Sequence, residues 1–520
     1  MLGIGLVNML VALDQTVVST ALPSIVAELH GFQYYAWIAS AYLLASVVTV
    51  PVFGRLGDYF GRKRFVIAAV IVFTVASVLC GLATDMRFLA LARALQGVGG
   101  GMMVGTAFAS IPDLFPDARA RVRWQVVMAA AYGIGTAAGP SLGGWLSEHF
   151  GWRSTFMVNL PVGVLALYFI WAHLPAYRHA RTGDVRIDWT GAALVAIVLG
   201  AFQTAIEAVP KDGLTAGNLA LIAVVVAGAA ALLVCERRAT HPIIPLDLFR
   251  DPQLVTLFTL STLSGFVMFS LIFFAPLLLQ GGFGLSPQDA GLLATPIAAC
   301  IALGSLVNTR IVIHLKKPTA ILSVGFGLLV CASVGLAFAT RTTPHLWLEL
   351  AMAAVGIGLG FILNNLNVFG QEIAGRERFG ITTALLQSTR MVGGMLGTSI
   401  VATIVNHRYA GGVGDALAVL GAPGAARWQP QLADPRVLID PALRGALAAQ
   451  MKAAGLDGTA LIEAVRHVLV DAIHLGVGLT GFEAFVAALC VRRIAHIRFS
   501  RAAGATPAAA ATERAPVQAE

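Results

Sequence analysis

Residues 36–84 read AWIASAYLLASVVTVPVFG, then RLGDYFGRKR, then FVIAAVIVFTVASVLCGLAT. Two apolar runs flank one short basic strip. A bilayer's hydrocarbon core is about 30 Å thick, and a helix crosses it in about 20 residues. Each apolar run is that long, so the stretch reads as two membrane-spanning helices joined by a charged turn. The same pattern continues in both directions, with further apolar runs at 3–27, 88–110, 124–146, 154–173, 190–209, 216–235, 254–279, 288–308, 319–340, 346–369, 380–406 and 467–490. Fourteen spans result, of which 190–209 and 467–490 look least apolar. The expected fold class is an all-α, multi-pass membrane protein.

Composition supports this. The chain is 57% hydrophobic and 12% charged, about half the charge of a soluble domain. Its net charge of +8 does not mark a nucleic-acid binder, because the basic residues follow topology. Twenty-three of the 35 Lys and Arg fall after spans 2, 4, 6, 8, 10 and 12 or in the C-terminal tail. The short loops of the other side carry only Arg87, Arg153, Lys211 and Arg341. Basic loops stay on the cytoplasmic side, so both termini are expected in the cytoplasm. No cleavable signal segment is expected, because the sequence enters span 1 without a basic stretch. The five cysteines fall within or at the ends of spans without metal-site spacing, and read as buried thiols.

The spans divide six, two and six. The expected units are 1–175, a linker 176–253 with two extra helices, and 254–490 including an external loop at 407–466. A tail, 491–520, reads as disordered. Gly97, Gly99 and Gly101 in span 4 recur as Gly356, Gly358 and Gly360 in span 12. That echo suggests two related halves, although small residues serve helix packing generally. In the external loop, Asp440-Pro441 can open a short helix that Gly455 closes.

In the strip after span 2, Gly54, Gly57 and Gly61 permit a tight reversal, and Asp58 can pair with Arg62, Lys63 or a helix end. This glycine, aspartate and basic spacing resembles the signature loop of the major facilitator superfamily, with Tyr59 where the family often has a basic residue. Other stretches agree: Leu13-Asp14-Gln15-Thr16 in span 1 and Arg93-Ala94-Leu95-Gln96-Gly97 in span 4. Span 5 has Gly135, then Gly139-Pro140-Ser141-Leu142-Gly143-Gly144, similar to the family's antiporter signature. Gly151-Trp152-Arg153 joins spans 5 and 6. With fourteen spans, the chain resembles the EmrB/QacA-like drug:proton antiporter branch.

The resemblance implies two six-helix bundles with spans 7 and 8 at the side, and cargo bound between the bundles near the midplane. It implies proton-coupled efflux of amphipathic or cationic small molecules. It makes Gly54, Gly57, Asp58, Gly61, Arg62 and Lys63 a conformational switch. Gly135, Gly139, Pro140, Gly143 and Gly144 become an antiporter motif, which suits a helix that bends and seals closely.

Asp14 stands out in its own right. A charge at a helix centre costs about 2.5–3.5 kcal/mol on insertion scales. It persists when it faces a cavity, has a partner, or takes up a proton. Either it handles protons, the role the family gives the matching acid, or it fixes packing through Thr16 or a neighbouring helix. Arg93 is either a snorkelling side chain or a fixed cation acting on that acid, and Gln96 shares its face. Candidate cavity residues are Gln96, Asn159, Asn365, Arg390 and Glu483, with Glu483 a candidate partner of Arg390. Phe266, Phe269 and Phe273 at helical spacing read as a lipid-facing stripe.

There is no G-x-x-x-x-G-K-[ST] phosphate loop, no H-E-x-x-H and no G-x-S-x-G. The chain is therefore expected to have no catalytic residues, metal or cofactor, and to be driven by the proton gradient. Its expected partners are the bilayer, protons and drug-like molecules. In a Gram-negative cell, a periplasmic adaptor and outer-membrane channel would complete the path. The expected location is the bacterial cytoplasmic (inner) membrane. A dedicated exporter of one metabolite or antibiotic, and a non-transporting sensor, are the competing readings.

Overall fold

The computed structural model describes residues 1–107, 118–175, 188–239, 246–315, 317–375, 378–419 and 425–494. Fourteen long helices run through these residues. The first six are α1 (Leu2–Leu29), α2 (Tyr35–Phe60), α3 (Arg62–Gly81), α4 (Met86–Ala107), α5 (Ala118–Phe150) and α6 (Asn159–His173). Next come α7 (Trp189–Asp212) and α8 (Ala216–Arg238). The last six are α9 (Pro252–Leu277), α10 (Pro287–Ile311), α11 (Ala320–Ala337), α12 (His345–Ala374), α13 (Phe379–Val419) and α14 (Gly458–Val491). Helices are the natural form here, because hydrocarbon offers no partner for an unpaired backbone N–H or C=O.

Thirteen of these segments are long and apolar enough to cross a membrane. Of these, α4 and α13 have the lowest mean hydropathy, 1.2, against 1.9 for the seventh span and 1.6 for the fourteenth. α5 runs as one helix over 33 residues. It packs between α1 and α10, so protein surrounds much of it and its sequence can be rich in glycine.

The two six-helix sets share one packing rule. A methyl group added to Gly97 would sit 2.8 Å from the Tyr42 Cα on α2, and one on Gly99 would sit 2.8 Å from the Phe73 Cα on α3. In the second set, a methyl on Gly358 would lie 2.7 Å from the Gly325 carbonyl oxygen on α11, and one on Gly360 2.7 Å from the Ser305 nitrogen on α10. Thus α4 lies against α2 and α3 as α12 lies against α10 and α11. The glycine echo has a physical cause: in each set the fourth helix touches two backbones at once.

Helices α7 and α8 form a separate hairpin. α8 packs on α7, and α7 rests on α2 and α13. One face of the molecule carries the turns at 30–34, 82–85, 213–215 and 340–344 and the insertion between α13 and α14; we call it the insertion face. The opposite face carries the basic turns.

Several boundaries differ from the sequence reading. α13 runs on to Val419 and α14 begins at Gly458, so much of 407–466 is helical extension. Polar residues ended the apolar run without ending the helix. Asp440 does cap Pro441–Ala453, accepting from the Ala442 and Leu443 backbone nitrogens, and Gly455 follows at φ +78°. At the other face, the reversal needs only Gly61, at φ +89°. Gly54 and Gly57 lie inside α2, where Gly57 faces Arg62 and Thr106. Lys63 donates to the Trp171 carbonyl in the last turn of α6 at 2.8 Å. The Asp58 side chain and the tail from 495 fall outside the described residues. Phe266, Phe269 and Phe273 are buried, not lipid-facing. Phe269 packs on Gly394 of α13, and the Phe273 carbonyl accepts from the Tyr35 hydroxyl.

Candidate functional site

Asp14 sits halfway along α1 and is wholly buried, at 0% exposure, with Arg93 at 1%. Its Oδ2 accepts from Arg93 Nη1 at 2.7 Å. Its Oδ1 accepts from Gln96 Nε2 at 2.6 Å and from Asn159 Nδ2 at 2.8 Å. Arg93 and Gln96 share a face of α4 because they are three residues apart. Asn159 opens α6, where the chain breaks at Val158 between Arg153–Met157 and Asn159–His173. Thr16, the local partner expected for Asp14, instead bonds the Ala12 and Leu13 carbonyls.

A second layer holds these side chains in place. Arg93 Nε donates to the Ile38 carbonyl at 3.1 Å, and its guanidinium lies 4.7 Å from the centre of the Tyr42 ring. Arg93 Nη1 also reaches Gln96 Oε1 at 2.6 Å. Ser77 Oγ accepts from Gln96 Nε2 at 2.8 Å, and the Cys80 thiol approaches Gln96 Oε1 at 3.5 Å. Three helices, α1, α4 and α6, therefore meet at the carboxylate, and α2 and α3 hold its partners.

Both carboxylate oxygens of Asp14 accept from charged or amide donors, so neutralising the carboxylate would strip Arg93 of its counter-charge. Removing one partner of a buried ion pair typically costs about 3–5 kcal/mol. Any change of charge at this site therefore bears on the packing of α1, α4 and α6. Gln96 and Asn159, candidate cavity residues from the sequence, are fully buried partners of Asp14. Ser77 and Tyr42 were missed. Ordinary-looking residues on neighbouring spans gave no signal without the fold.

The other candidates lie elsewhere. Asn365 bonds Asn308 across α12 and α10 at 2.7 Å and its own helix at Phe361 O, 2.6 Å, and is buried. Arg390 bonds Gln387 one turn back on α13. Glu483 is half-buried, with one carboxylate oxygen lacking any donor. The two form no ion pair among the described residues, which corrects the suggested pairing: α13 and α14 touch, but not through these side chains. Exchanging them, as Arg390→Glu with Glu483→Arg, is therefore expected to rescue neither single variant in a growth assay under drug challenge. Rescue would restore the pairing.

α5 completes the site from outside. Gly135, Gly139 and Gly143, four residues apart, face α1 at Met9, Thr16 and Val17. Pro140 and Gly144 face the other set instead, at Gly291 and Pro287 of α10. Ser141 and Thr295 share a hydrogen bond beside them. Further bonds join the two sets: Gln280 Nε2 to the Thr20 carbonyl at 2.8 Å, and the Gln288 nitrogen to Glu148 Oε2 at 2.9 Å. These hydrogen bonds between the sets lie in the half nearer the insertion face. The molecule is closed there.

The chain is similar to several known proteins. The model of the Major Facilitator Superfamily matches residues 4–398. The Multidrug transporter protein MdtP of Bacillus subtilis is 32% identical over 405 residues, 76% of this chain and 73% of that protein. Multidrug resistance protein 3 of the same organism is 28% identical over 449 residues, covering 85% and 86%. Among solved structures, a bacterial homologue of the lysosomal transporter Spinster, inward-facing and unoccupied, superposes with a TM-score of 0.59 at 16% identity, covering 96% and 98%. That likeness concerns the fold alone. With fourteen helices in this arrangement and a family match over most of its length, the chain belongs to the Major Facilitator Superfamily and is a multi-pass membrane transporter, not an enzyme.

Proposed function

We propose that the protein exports amphipathic or cationic small molecules from the cytoplasm in exchange for external protons. The observation that carries this reading is the Asp14 cluster: an acid with no exposure, ion-paired to Arg93 and bonded to Gln96 and Asn159. The names of the multidrug relatives support the cargo class. The units are 1–175, the linker 176–253 with α7 and α8, and 254–490. With basic loops held inside, the insertion face is external and the structure is outward-closed. Proton arrival at Asp14 displaces Arg93 or an amide, loosens α1 from α4 and α6, and lets the halves rock. Gly54, Gly57, Asp58, Gly61, Arg62 and Lys63 act at the cytoplasmic face as the switch. Gly135, Gly139, Pro140, Gly143 and Gly144 seal α5 against both halves.

The driving force suffices. One charge through 100 mV is worth about 2.3 kcal/mol, so one proton through about 150 mV can hold roughly a 300-fold gradient of neutral cargo. Purified protein in proteoliposomes is expected to move ethidium uphill when a pH gradient is imposed, and to stop when an ionophore collapses it. Uphill transport that survives the collapse would end proton coupling. A panel of unrelated cationic dyes separates broad efflux from a dedicated exporter, which would move none or one of them.

A further inference from the structure

A second carboxylate lies inside the membrane, on the extra helix α7, away from the Asp14 cluster. Glu207 is half-buried about one turn from the insertion-face end of α7. Its Oε2 accepts from Trp37 Nε1 at 2.5 Å and its Oε1 from Gln203 Nε2 at 3.0 Å. Gln203 is fully buried. The same Nε2 reaches Ser40 Oγ of α2 at 3.1 Å and Ser399 Oγ of α13. Thr403 of α13 adds a bond to the Ile206 carbonyl at 3.4 Å. One amide on α7 therefore holds a helix from each half, at the closed end of the seam. Gln203 Oε1 is buried and has no donor.

We propose that Glu207 is a second proton-binding site, loaded from the external side, which releases the hold of Gln203 on α2 and α13. As a carboxylate, Glu207 accepts two hydrogen bonds and fixes the Gln203 amide with its nitrogen toward both serines. A proton from external water adds to one carboxylate oxygen, leaving water behind. That oxygen becomes a donor, and the donorless Gln203 Oε1 is the acceptor beside it. Turning the amide to meet it withdraws Nε2 from Ser40 and Ser399, and the seam can part. Loss of the proton back to water reverses the change. The assignment of direction across the membrane rests on the topology in the preceding proposal, whereas the proton site itself does not.

The side chains bonded to Glu207 and Gln203 from neighbouring elements are neutral: Trp37 and Ser40 on α2 and Ser399 on α13. Thr403 of α13 and Asn218 of α8 bond the Ile206 and Ala208 carbonyls, and His407, exposed one turn beyond Thr403, is the next titratable side chain along α13. On α7 itself, Asp212 is exposed and Lys211, one turn on, has its side chain outside the described residues. Controls for Lys211 and His407 are therefore part of the test.

Spin labels at Gln33 and Ala410 report the separation of the insertion-face ends of α2 and α13. Cys235, Cys300, Cys331 and Cys490 are replaced by Ala, and Cys80 stays buried. In full-length purified protein, the ratio of long to short distances is expected to rise about tenfold from pH 9 to pH 5, the effect of one charge-assisted hydrogen bond. Glu207→Gln should make the ratio independent of pH. Trp37→Phe, which removes one donor to the carboxylate, should move the midpoint upward by about one pH unit. A wild-type ratio that ignores pH, an unmoved midpoint in Trp37→Phe, or a pH response retained by Glu207→Gln overturns the proposal. So does a Lys211→Gln or His407→Gln change as large as that of Glu207→Gln. Asp14→Asn should leave this pH response in place. Absent proton-driven ethidium transport with an intact Glu207 response would sink only the preceding reading.

Discussion

Asp14→Asn is expected to abolish uphill, proton-driven efflux while the protein still inserts in the membrane. The asparagine keeps the shape of the side chain but loses its charge and one acceptor. Asp14 now receives donors from Arg93, Gln96 and Asn159. An amide nitrogen at either position would face one of those donors, and Arg93 would lose its counter-charge. An effect of about 3 kcal/mol, at the low end for removing one member of a buried ion pair, corresponds to roughly a 150-fold loss. The discriminating measurement compares two assays in the same proteoliposomes. Uphill ethidium accumulation should fall to the level of empty vesicles, while exchange of ethidium across equal concentrations, which needs no net proton turnover, should persist. Full uphill transport by the variant would remove Asp14 from the mechanism.

The second large effect separates the two faces of α5. Gly143→Val and Gly144→Val add the same atoms one residue apart, yet they meet different neighbours. At Gly143 the new Cβ would lie 2.8 Å from the Val17 Cα of α1, within the first six helices. At Gly144 it would lie 3.1 Å from the Gln288 Cα of α10, in the other set. Overpacking of this kind costs about 1–3 kcal/mol. For Gly143→Val the cost falls on the packing of α1, and a lower unfolding temperature in detergent is expected. For Gly144→Val it falls only on the closed arrangement, because parting the sets removes the clash. The expected result is an unchanged melting temperature with a ten- to hundredfold shift toward the arrangement open at the insertion face. Labelling of a cysteine introduced at Ser141 by a membrane-impermeant maleimide reports it. Equal melting losses in the two variants would refute the division of faces.

Asp14 and Arg93 are conspicuous in the sequence because charge inside an apolar run needs a partner, and each proves to be the other's. The glycine echo between α4 and α12 also marks real backbone contacts. Other residues mislead for definite reasons. Phe266, Phe269 and Phe273 form an apolar stripe, and a stripe inside a membrane looks the same whether it meets lipid or protein. Asn365 looks like a cavity residue because its partner, Asn308, lies 57 positions away. Gln203 and Glu207 are a polar pair four residues apart in span 7. Their spacing is a usable signal, but along the chain it shows only as reduced apolarity.

The chain's own order of residues determined the number of spans, their alternating direction and the family. These follow from hydrophobic length, from where the basic residues fall, and from motifs that are local in sequence. Only the tertiary arrangement decided which polar groups meet. It turned Gln96 and Asn159 inward to Asp14, kept Arg390 from Glu483, and set Gln203 against both halves. In hydrocarbon each buried polar group must find a partner, and which partner is within reach depends on how the helices are arranged in space, a relation that no stretch of sequence contains.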